Sequence, residues 1–217
     1  MRFLFTFFLT ATLLFSTIAQ PGDWDVLIDN ALPTVLEEHR AFVSLPNVSA
    51  DRENVRKNME WIRPAFEARD FEVSLLETGI IPVFLAERTV DPAAPTILYY
   101  FHIDGQAVNP ENWDQADPFA PVLKRQTPEG DWQAIPWESI ADGIDPEWRI
   151  FGRAAADDKG PITMFLTALA LMDEVLAEQH YNYKVVLDPE EEAGSEALLS
   201  TLDRHRDRYA ADYMIIM

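Results

Sequence analysis

The chain of 217 residues carries 37 acidic side chains against 17 Lys and Arg, so its formal net charge is −20. Nucleic-acid affinity comes largely from Lys and Arg side chains that displace counterions, and this charge balance argues against a nucleic-acid partner. With 48% hydrophobic and 12% aromatic residues, the composition is that of a globular chain that can bury a core. The absence of cysteine excludes disulfides, thiolate zinc sites and thiol catalysis.

The first nineteen residues have the organisation of a secretory signal peptide. Met1-Arg2 is a short positive start, an uncharged apolar run follows to Ala19, and the run ends in a small-x-small pattern typical of a cleavage site. The alternative is a membrane anchor, but a run of 17 residues is shorter than the roughly 20 that a spanning helix needs. We therefore predict a signal peptide over 1–19, export to the periplasm or the cell exterior, and no stable membrane anchor after cleavage.

Helical and extended segments alternate along the rest of the chain. Apolar residues at helical spacing predict four helices: residues 24–43, the segment after Asp51, the segment from Pro161 to about Gln179, and the segment from Ser195 to about Tyr209. Short apolar runs predict strands at 71–76, 82–86, 96–103, 183–187 and 212–217. Residues 105–149 have no sustained period and are expected to form a long ordered loop with a short strand or two. This order predicts an α/β fold with a mostly parallel central sheet flanked by helices.

Three polar clusters follow predicted strands or precede a predicted helix: His102 with Asp104, residues 157–160, and residues 190–192. Taken singly, each has an ordinary explanation as backbone partners at a strand end, a helix cap, or a solvated acidic loop. Ligands of open α/β sheets bind beyond the carboxyl ends of the strands, so we expect the three clusters to converge. Imidazole and carboxylate ligands without thiolate suit zinc, cobalt or manganese.

The spacing within the clusters suggests how such a site would be built. Residues two apart on a strand face the same way, so His102 and Asp104 can form a carboxylate–histidine–metal relay. One carboxylate of the Asp157-Asp158 pair can bridge two cations at a tight turn, and Gly160 lets the backbone come close. The remaining histidines, at positions 39, 180 and 205, lie among polar residues and are expected at the surface.

Four segments carry a family resemblance. They are Phe-His-Ile-Asp-Gly-Gln at 101–106, Trp113 followed by Asp-Pro-Phe-Ala-Pro at 117–121, Phe-Gly-Arg-Ala-Ala-Ala-Asp-Asp-Lys-Gly-Pro at 151–161, and Glu-Glu-Glu-Ala-Gly-Ser at 190–195. In this order they resemble the co-catalytic zinc metallopeptidase family of carboxypeptidase G, aminoacylase, acetylornithine deacetylase and the carnosinase-like dipeptidases, with the dipeptidase branch most similar. The resemblance implies a zinc-exopeptidase-like fold in which residues 20–217 are the N-terminal portion of the catalytic domain, before the lid domain. The family usually has Gly where Ala154 stands.

The resemblance also implies roles for five residues. His102 would bind one zinc and Asp104 would orient it, Asp157 would bridge two metals, Glu192 would be a further ligand, and Glu191 would be the general base. Two divalent cations, zinc in the first place and cobalt or manganese as alternatives, would lower the pKa of a shared water and polarise the scissile carbonyl. Glu191 would take the proton of the water and return it to the leaving amine.

The implied activity is hydrolysis of a dipeptide or short peptide, with deacylation of an N-acyl amino acid as the alternative within the family. The resemblance admits a homodimer formed through the lid domain, and it implies that the remaining metal ligands lie further along the chain than residue 217. We therefore expect the 217-residue polypeptide alone to be inactive. Two other classes remain: a non-catalytic binding protein that retains the fold, and a secreted acidic calcium-binding module, which would leave His102 without a role.

Overall fold

The computed structural model describes residues 21–176 and 179–217, so the predicted signal peptide lies outside the described residues. The helices are α1 Pro21–Val43, α2 Arg52–Glu67, α3 Lys159–Val175, α4 Glu196–Leu202 and α5 Arg206–Tyr209. The strands are β1 Glu72–Leu76, β2 Val83–Arg88, β3 Thr96–His102, β4 Val122–Gln126, β5 Trp132–Ala134, β6 Arg149–Phe151, β7 Asn182–Asp188 and β8 Tyr213–Ile216. Within the described ranges, every helix is too short or too polar to cross a bilayer.

The predicted α/β class is confirmed, but the central sheet is mixed rather than mostly parallel. Its strand order is β1-β2-β7-β3-β8. The pairings of β7 with β3 and of β3 with β8 are parallel, whereas those of β1 with β2 and of β2 with β7 are antiparallel. The connection between β1 and β2 is residues 77–82, and it accounts for the antiparallel pairing of these two strands because parallel neighbours need a crossover of a dozen or more residues.

Helices cover both faces of this sheet, as expected from the buried strands. On one face, Phe66 of α2 contacts the ring of Phe84 in β2, and Phe165 of α3 contacts a ring of β3. Alternate strand residues point to the opposite face, where Arg208 of α5 forms an ion pair with Glu87 of β2. The core is therefore made by the sheet and by helices whose apolar stripe faces it.

The predicted long loop contains more structure than its sequence indicated. Strands β4, β5 and β6 form a separate small antiparallel sheet in the order β5-β4-β6. Strands β5 and β6 have only three residues each, which is too short for an alternating pattern to be recognised. Strands β4 and β5 lie within residues 105–149, which confirms the prediction of a short strand or two there, and β6 begins at residue 149, where that segment ends.

The predicted helix from Ser195 to Tyr209 is interrupted and forms the two helices α4 and α5. Tertiary contacts fix how the two parts of this segment pack. Nζ of Lys184 in β7 donates to the carbonyl oxygens of Arg208 and Ala210 at 2.6 and 2.8 Å, which ends α5 against the sheet. The hydroxyl of Tyr209 lies 2.6 Å from Oγ1 of Thr201, which folds α5 back onto α4. Such contacts between distant residues override helical periodicity.

Candidate metal centre

The carboxyl ends of β3 and β7 meet at one edge of the sheet. His102, the last residue of β3, pairs in register with Asp188, the last residue of β7. The loop after β7 begins at this edge. The turn before α3 reaches it too, because the backbone N–H of His102 donates to Asp158 Oδ2 at 3.0 Å. The three polar clusters of the sequence therefore converge, as parallel neighbouring strands require.

Three side chains at this edge could hold a metal ion. His102, Asp157 and Glu192 each offer one ligand atom, and these atoms all lie within 4.8 Å of one another. Nε2 of His102 is 2.7 Å from Oδ1 of Asp157. The structure thus brings together the three residues that the resemblance singled out as ligands. An imidazole nitrogen with two carboxylates is a donor set that zinc and related divalent ions accept.

The ring of His102 is oriented by Asp104. Nδ1 of His102 lies 3.1 Å from the backbone oxygen of Asp104 and 3.4 Å from its Oδ1, so Nε2 is the nitrogen that faces the other two ligands. Burial acts to lower the pKa of the imidazole, but the hydrogen bonds with Asp104 and Asp157 outweigh it, and the pKa of His102 is raised to about 9. A cation that binds Nε2 near neutral pH therefore displaces a proton.

Asp104 does more than orient the histidine. Its side chain is fully buried, and its two oxygens accept hydrogen bonds from the backbone N–H groups of Glu191 and Glu192 at 3.1 and 3.2 Å. Oδ2 also accepts a hydrogen bond from Oγ of Ser49 at 2.6 Å. One carboxylate therefore connects His102 with the loop that carries two of the predicted site residues.

The two aspartates before α3 have different surroundings. Asp157 is exposed and faces His102, whereas Asp158 is buried, and burial raises the pKa of its carboxyl to about 6. The turn is anchored by Lys159, whose Nζ donates to the backbone oxygens of Phe42 and Leu45 at 2.8 and 2.7 Å. This anchor places the candidate bridging carboxylate on a fixed part of the backbone.

The close backbone approach that was expected at Gly160 is confirmed. A Cβ at this position would lie 2.8 Å from the backbone oxygen of Ala155. This is shorter than side chains tolerate, so only glycine fits where α3 leaves the Asp157 turn.

The three consecutive glutamates also differ. Glu190 is buried, and its carboxylate contacts Arg52 at 3.3 Å and accepts from the backbone N–H of Ala197 at 3.2 Å. It therefore holds the start of α4 and does not belong to the cluster of His102, Asp157 and Glu192. Glu191 is exposed and Glu192 is partly exposed, so both can reach solvent at the site.

Asp188 and Ser49 are site-supporting residues that sequence reasoning missed. Asp188 is fully buried, accepts from the hydroxyl of Tyr100 at 3.0 Å, and accepts from the backbone N–H of Glu190 at 3.0 Å. Its position at the end of a buried strand was the only available signal. Ser49 follows a turn, and nothing in its sequence neighbourhood indicates contact with Asp104.

The expectation for the other histidines was wrong at His39. This side chain is 7% exposed, with Nε2 at 3.0 Å from the backbone oxygen of Ala155 and Nδ1 at 3.0 Å from Oγ1 of Thr163. Burial lowers its pKa. His39 therefore supports the turn before Asp157 from α1. His180 is exposed and His205 is half-buried.

The sequence of residues 98–217 matches the family described as Peptidase family M20/M25/M40. The chain belongs to this family. Beta-Ala-His dipeptidase of Mus musculus is 29% identical over 139 residues, which cover 63% of this chain and 24% of that protein. Cys-Gly metallodipeptidase dug1 of Schizosaccharomyces pombe is 27% identical over 182 residues, which cover 78% of this chain and 34% of that protein. The chain thus matches only a quarter to a third of the length of these relatives.

Solved structures support the same fold. Human carnosine dipeptidase 1 superposes with a TM-score of 0.69 at 23% identity, covering 87% of this chain and 39% of that chain. The M20 family metallo-carboxypeptidase Sso-CP2 from Sulfolobus solfataricus superposes with a TM-score of 0.66 at 26% identity, covering 84% of this chain and 36% of that chain. The predicted zinc-exopeptidase-like architecture is therefore confirmed for the part of the fold that this chain forms.

Proposed function

We propose that this chain belongs to an exported metal-dependent hydrolase that cleaves a dipeptide or short peptide. The observation that carries the proposal is the convergence of His102, Asp157 and Glu192 within 4.8 Å beside the exposed Glu191. The relatives named Beta-Ala-His dipeptidase and Cys-Gly metallodipeptidase support the substrate class. Two divalent cations, zinc before cobalt or manganese, suit the donor set of one imidazole and two carboxylates.

The geometry of the cluster supports the ligand assignment that the family resemblance implies. His102 presents Nε2 because Asp104 occupies the side of the ring that carries Nδ1. Asp157 is exposed on the turn before α3, and we assign it as the carboxylate shared between two ions. Glu192 would complete the set from the loop after β7. A bound divalent metal supplies Lewis-acid polarisation of the scissile carbonyl and a water of lowered pKa.

Glu191 is the proposed general base. Its backbone N–H donates to Asp104 Oδ1 at 3.1 Å, and it is an exposed residue that directly precedes the candidate ligand Glu192 in the chain. A carboxylate in that position can accept a proton from water and return it to the leaving amine. Asp104 is the proposed orienting acid, because it fixes both the imidazole and the backbone of the base.

A cleft beside Glu192 has room for a small substrate. It encloses about 710 Å³ and is lined by residues of three segments, among them Arg52, Gln106 and Glu192. Clefts of roughly 300–1,000 Å³ are typical of small-molecule sites. The volume of this cleft is therefore sufficient for a dipeptide.

The described residues supply three ligand side chains, one of them shared in this proposal. Closed zinc sites have about four ligands per ion, so two ions need more donors than this cluster offers. We therefore keep the prediction that the 217-residue polypeptide alone does not hydrolyse dipeptides. Metal-dependent hydrolysis by the purified 217-residue polypeptide would contradict it.

The test of the proposal uses the full-length gene product, obtained by reading the coding DNA beyond the codon for Met217. We expect metal-dependent hydrolysis of dipeptides that stops with a chelator and returns with zinc. Glu191→Gln is expected to lower kcat by about 10²- to 10⁴-fold with the metal content unchanged, because only proton transfer is lost. Glu196→Gln, at an exposed position in the first turn of α4, is the matched control.

Two outcomes would overturn the proposed function. One is hydrolysis that persists in excess chelator, and the other is a Glu191→Gln variant as active as its Glu196→Gln control. If the protein hydrolysed N-acyl amino acids but not dipeptides, the proposed activity would change from peptidase to deacylase. For export, N-terminal sequencing of the secreted protein should begin at residue 20, and a retained 1–19 segment would argue against cleavage.

A further inference from the structure

Residues 47–49 run beside the end of β3 as a short extra strand. Val48 forms an isolated parallel bridge with Gly105. The backbone N–H of Gly105 donates to the oxygen of Asn47 at 2.8 Å, and that of Ser49 donates to the oxygen of Gly105 at 2.9 Å. A Cβ on Gly105 would lie 2.9 Å from Oδ1 of Asn47, so the two segments are as close as glycine allows. This bridge fixes the position of Ser49.

The hydroxyl of Ser49 points at the buried carboxylate of Asp104. Its Oγ lies 2.6 Å from Asp104 Oδ2 and 3.1 Å from the backbone oxygen of Gly105. The hydroxyl has one proton, and the shorter contact with the charged acceptor is the stronger hydrogen bond. Ser49 is therefore the side-chain donor that holds Oδ2 of Asp104.

The position of the Asp104 carboxylate affects three of the predicted site residues, His102, Glu191 and Glu192. The same carboxylate lies 3.4 Å from Nδ1 of His102 and accepts the backbone N–H groups of Glu191 and Glu192. Nδ1 of His102 also lies 3.1 Å from the backbone oxygen of Asp104, so a rotation of the carboxylate would remove one of the two contacts that orient the imidazole. The same rotation would release the backbone N–H groups of both glutamates. If a buried carboxylate loses one hydrogen-bond donor, the unpaired oxygen destabilises the folded protein, because no water replaces the donor. Rotation of the carboxylate towards another donor would then lower the free energy.

We propose that Ser49 is a positioning residue of the metal centre. By fixing Asp104, Ser49 sets the direction of His102 Nε2 and the placement of the loop of Glu191 and Glu192. This inference rests on the proposed metal-dependent function, and it adds a residue from the turn between α1 and α2 to a site otherwise built from strand ends. Such outer partners of metal ligands typically change metal affinity or activity by about 10- to 100-fold.

The test compares Ser49→Ala with Ser49→Thr in the cobalt-loaded full-length gene product. The visible absorption bands of Co²⁺ report ligand geometry, which a purely structural role of Ser49 would leave unchanged. We expect Ser49→Ala to shift these bands and to weaken Co²⁺ binding by about 10- to 100-fold. Ser49→Thr keeps the hydroxyl and should restore both. Ser44→Ala is the matched control, since its Oγ donates to the backbone oxygen of Arg40 at 2.8 Å, away from the metal centre.

The outcomes separate this inference from the function on which it rests. If the parent protein binds no Co²⁺, the proposed function fails and the role of Ser49 fails with it. If the parent binds Co²⁺ and Ser49→Ala has the spectrum and affinity of the parent, only the positioning role is wrong. Equal losses in the Ala and Thr variants, accompanied by equal losses of Tm, would likewise assign Ser49 a structural role only.

Discussion

Ala154 has a backbone conformation that suits glycine. Its φ is 64°, in the left-handed region, and its side chain is only 5% exposed. For a residue with a Cβ this conformation costs about 1–2 kcal/mol. Ala154 lies in the turn that presents Asp157, and it is the position where the resembling family usually has Gly. The departure noticed in the sequence therefore has a local energetic cost.

We predict that Ala154→Gly raises the free energy of unfolding by about 0.5–1 kcal/mol, because relief of the left-handed strain exceeds the added entropy of the unfolded chain. Urea denaturation measures the change. Ala156→Gly in the same turn is the control, since Ala156 has no positive φ, and this variant should lose about 0.4–1 kcal/mol. A loss of stability in Ala154→Gly equal to that of the control would contradict the strain argument.

His39 should make stability depend on pH. Burial lowers its folded-state pKa below the ordinary value of 6.5, so the unfolded chain takes up a proton first as the solution is acidified. The stability contributed by neutral His39 is fully present above pH 6.5 and is lost as pH falls towards the folded pKa, by at most about 1.4 kcal/mol per pH unit.

The measurement is the free energy of unfolding of the parent and of His39→Gln between pH 7 and about pH 5. We expect the parent to lose stability more steeply than His39→Gln across this window. His180→Gln removes an exposed histidine and should retain the slope of the parent. Parallel curves for the parent and His39→Gln would show that His39 does not carry this dependence.

The clusters that contain the candidate ligands are recognisable in sequence, because ligand-type residues follow strands or precede a helix and such positions meet at one edge of the sheet. The choice of His102, Asp157 and Glu192 within those clusters came from the family resemblance. Ser49 and His39 are ordinary polar residues in sequence. Ser49 contacts Asp104 and His39 contacts Ala155, and each pair is separated by more than fifty residues in the chain. The local sequence pattern does not indicate contacts of this kind.

At the scale of the element, α3 depends on a glycine in its first turn. Helix propensity alone favours alanine over glycine by about 1 kcal/mol, so Gly160→Ala would be stabilising in an isolated helix. In the protein the new Cβ would lie 2.8 Å from the backbone oxygen of Ala155, and a backbone atom cannot move aside cheaply. Crowding of this kind typically costs about 1–3 kcal/mol.

We therefore predict that Gly160→Ala lowers the free energy of unfolding by about 1 kcal/mol or more, and that it weakens metal binding because the turn of Asp157 must shift. Denaturant unfolding and zinc titration of the full-length gene product measure the two effects. Met164→Ala, at a position of α3 that is 59% exposed, should change stability by no more than about 0.5 kcal/mol. A more stable Gly160→Ala variant would show that the turn relaxes freely.

The helices and strands were predictable where their patterns are long. The stripe of α2 and its capping by Asp51, whose Oδ1 accepts the N–H of Asn54 at 3.1 Å, follow directly from the sequence. Strand direction was not predictable in the same way, since β7 inserts between β2 and β3 and pairs differently with each. The end of α5 depends on Lys184, a residue of a neighbouring strand.

At the scale of the whole molecule, net charge opposes association between copies of the chain and exposed apolar surface favours it. A net charge of −20 opposes association between copies. Strand β8 pairs with β3 along one side only and ends the sheet in the described chain, and its four residues are 37–69% exposed. An apolar edge strand offers unpaired backbone groups and side chains to another copy. Physiological salt screens the repulsion between distant charges but does not weaken a local hydrophobic contact. At physiological salt we therefore expect attraction through the β8 edge to exceed the charge repulsion between copies.

We predict that the 217-residue polypeptide self-associates in a concentration-dependent way, and that Ile216→Lys shifts it towards the monomer in sedimentation velocity experiments. A charge on the edge strand opposes pairing with a second copy. Ile216 is 69% exposed, and the control Leu199→Lys changes a residue of α4 that is 61% exposed. If general hydrophobicity caused the association, both variants would reduce it equally. A selective effect of Ile216→Lys would instead identify the β8 edge as the contact, and a monomeric parent at all concentrations would contradict the prediction.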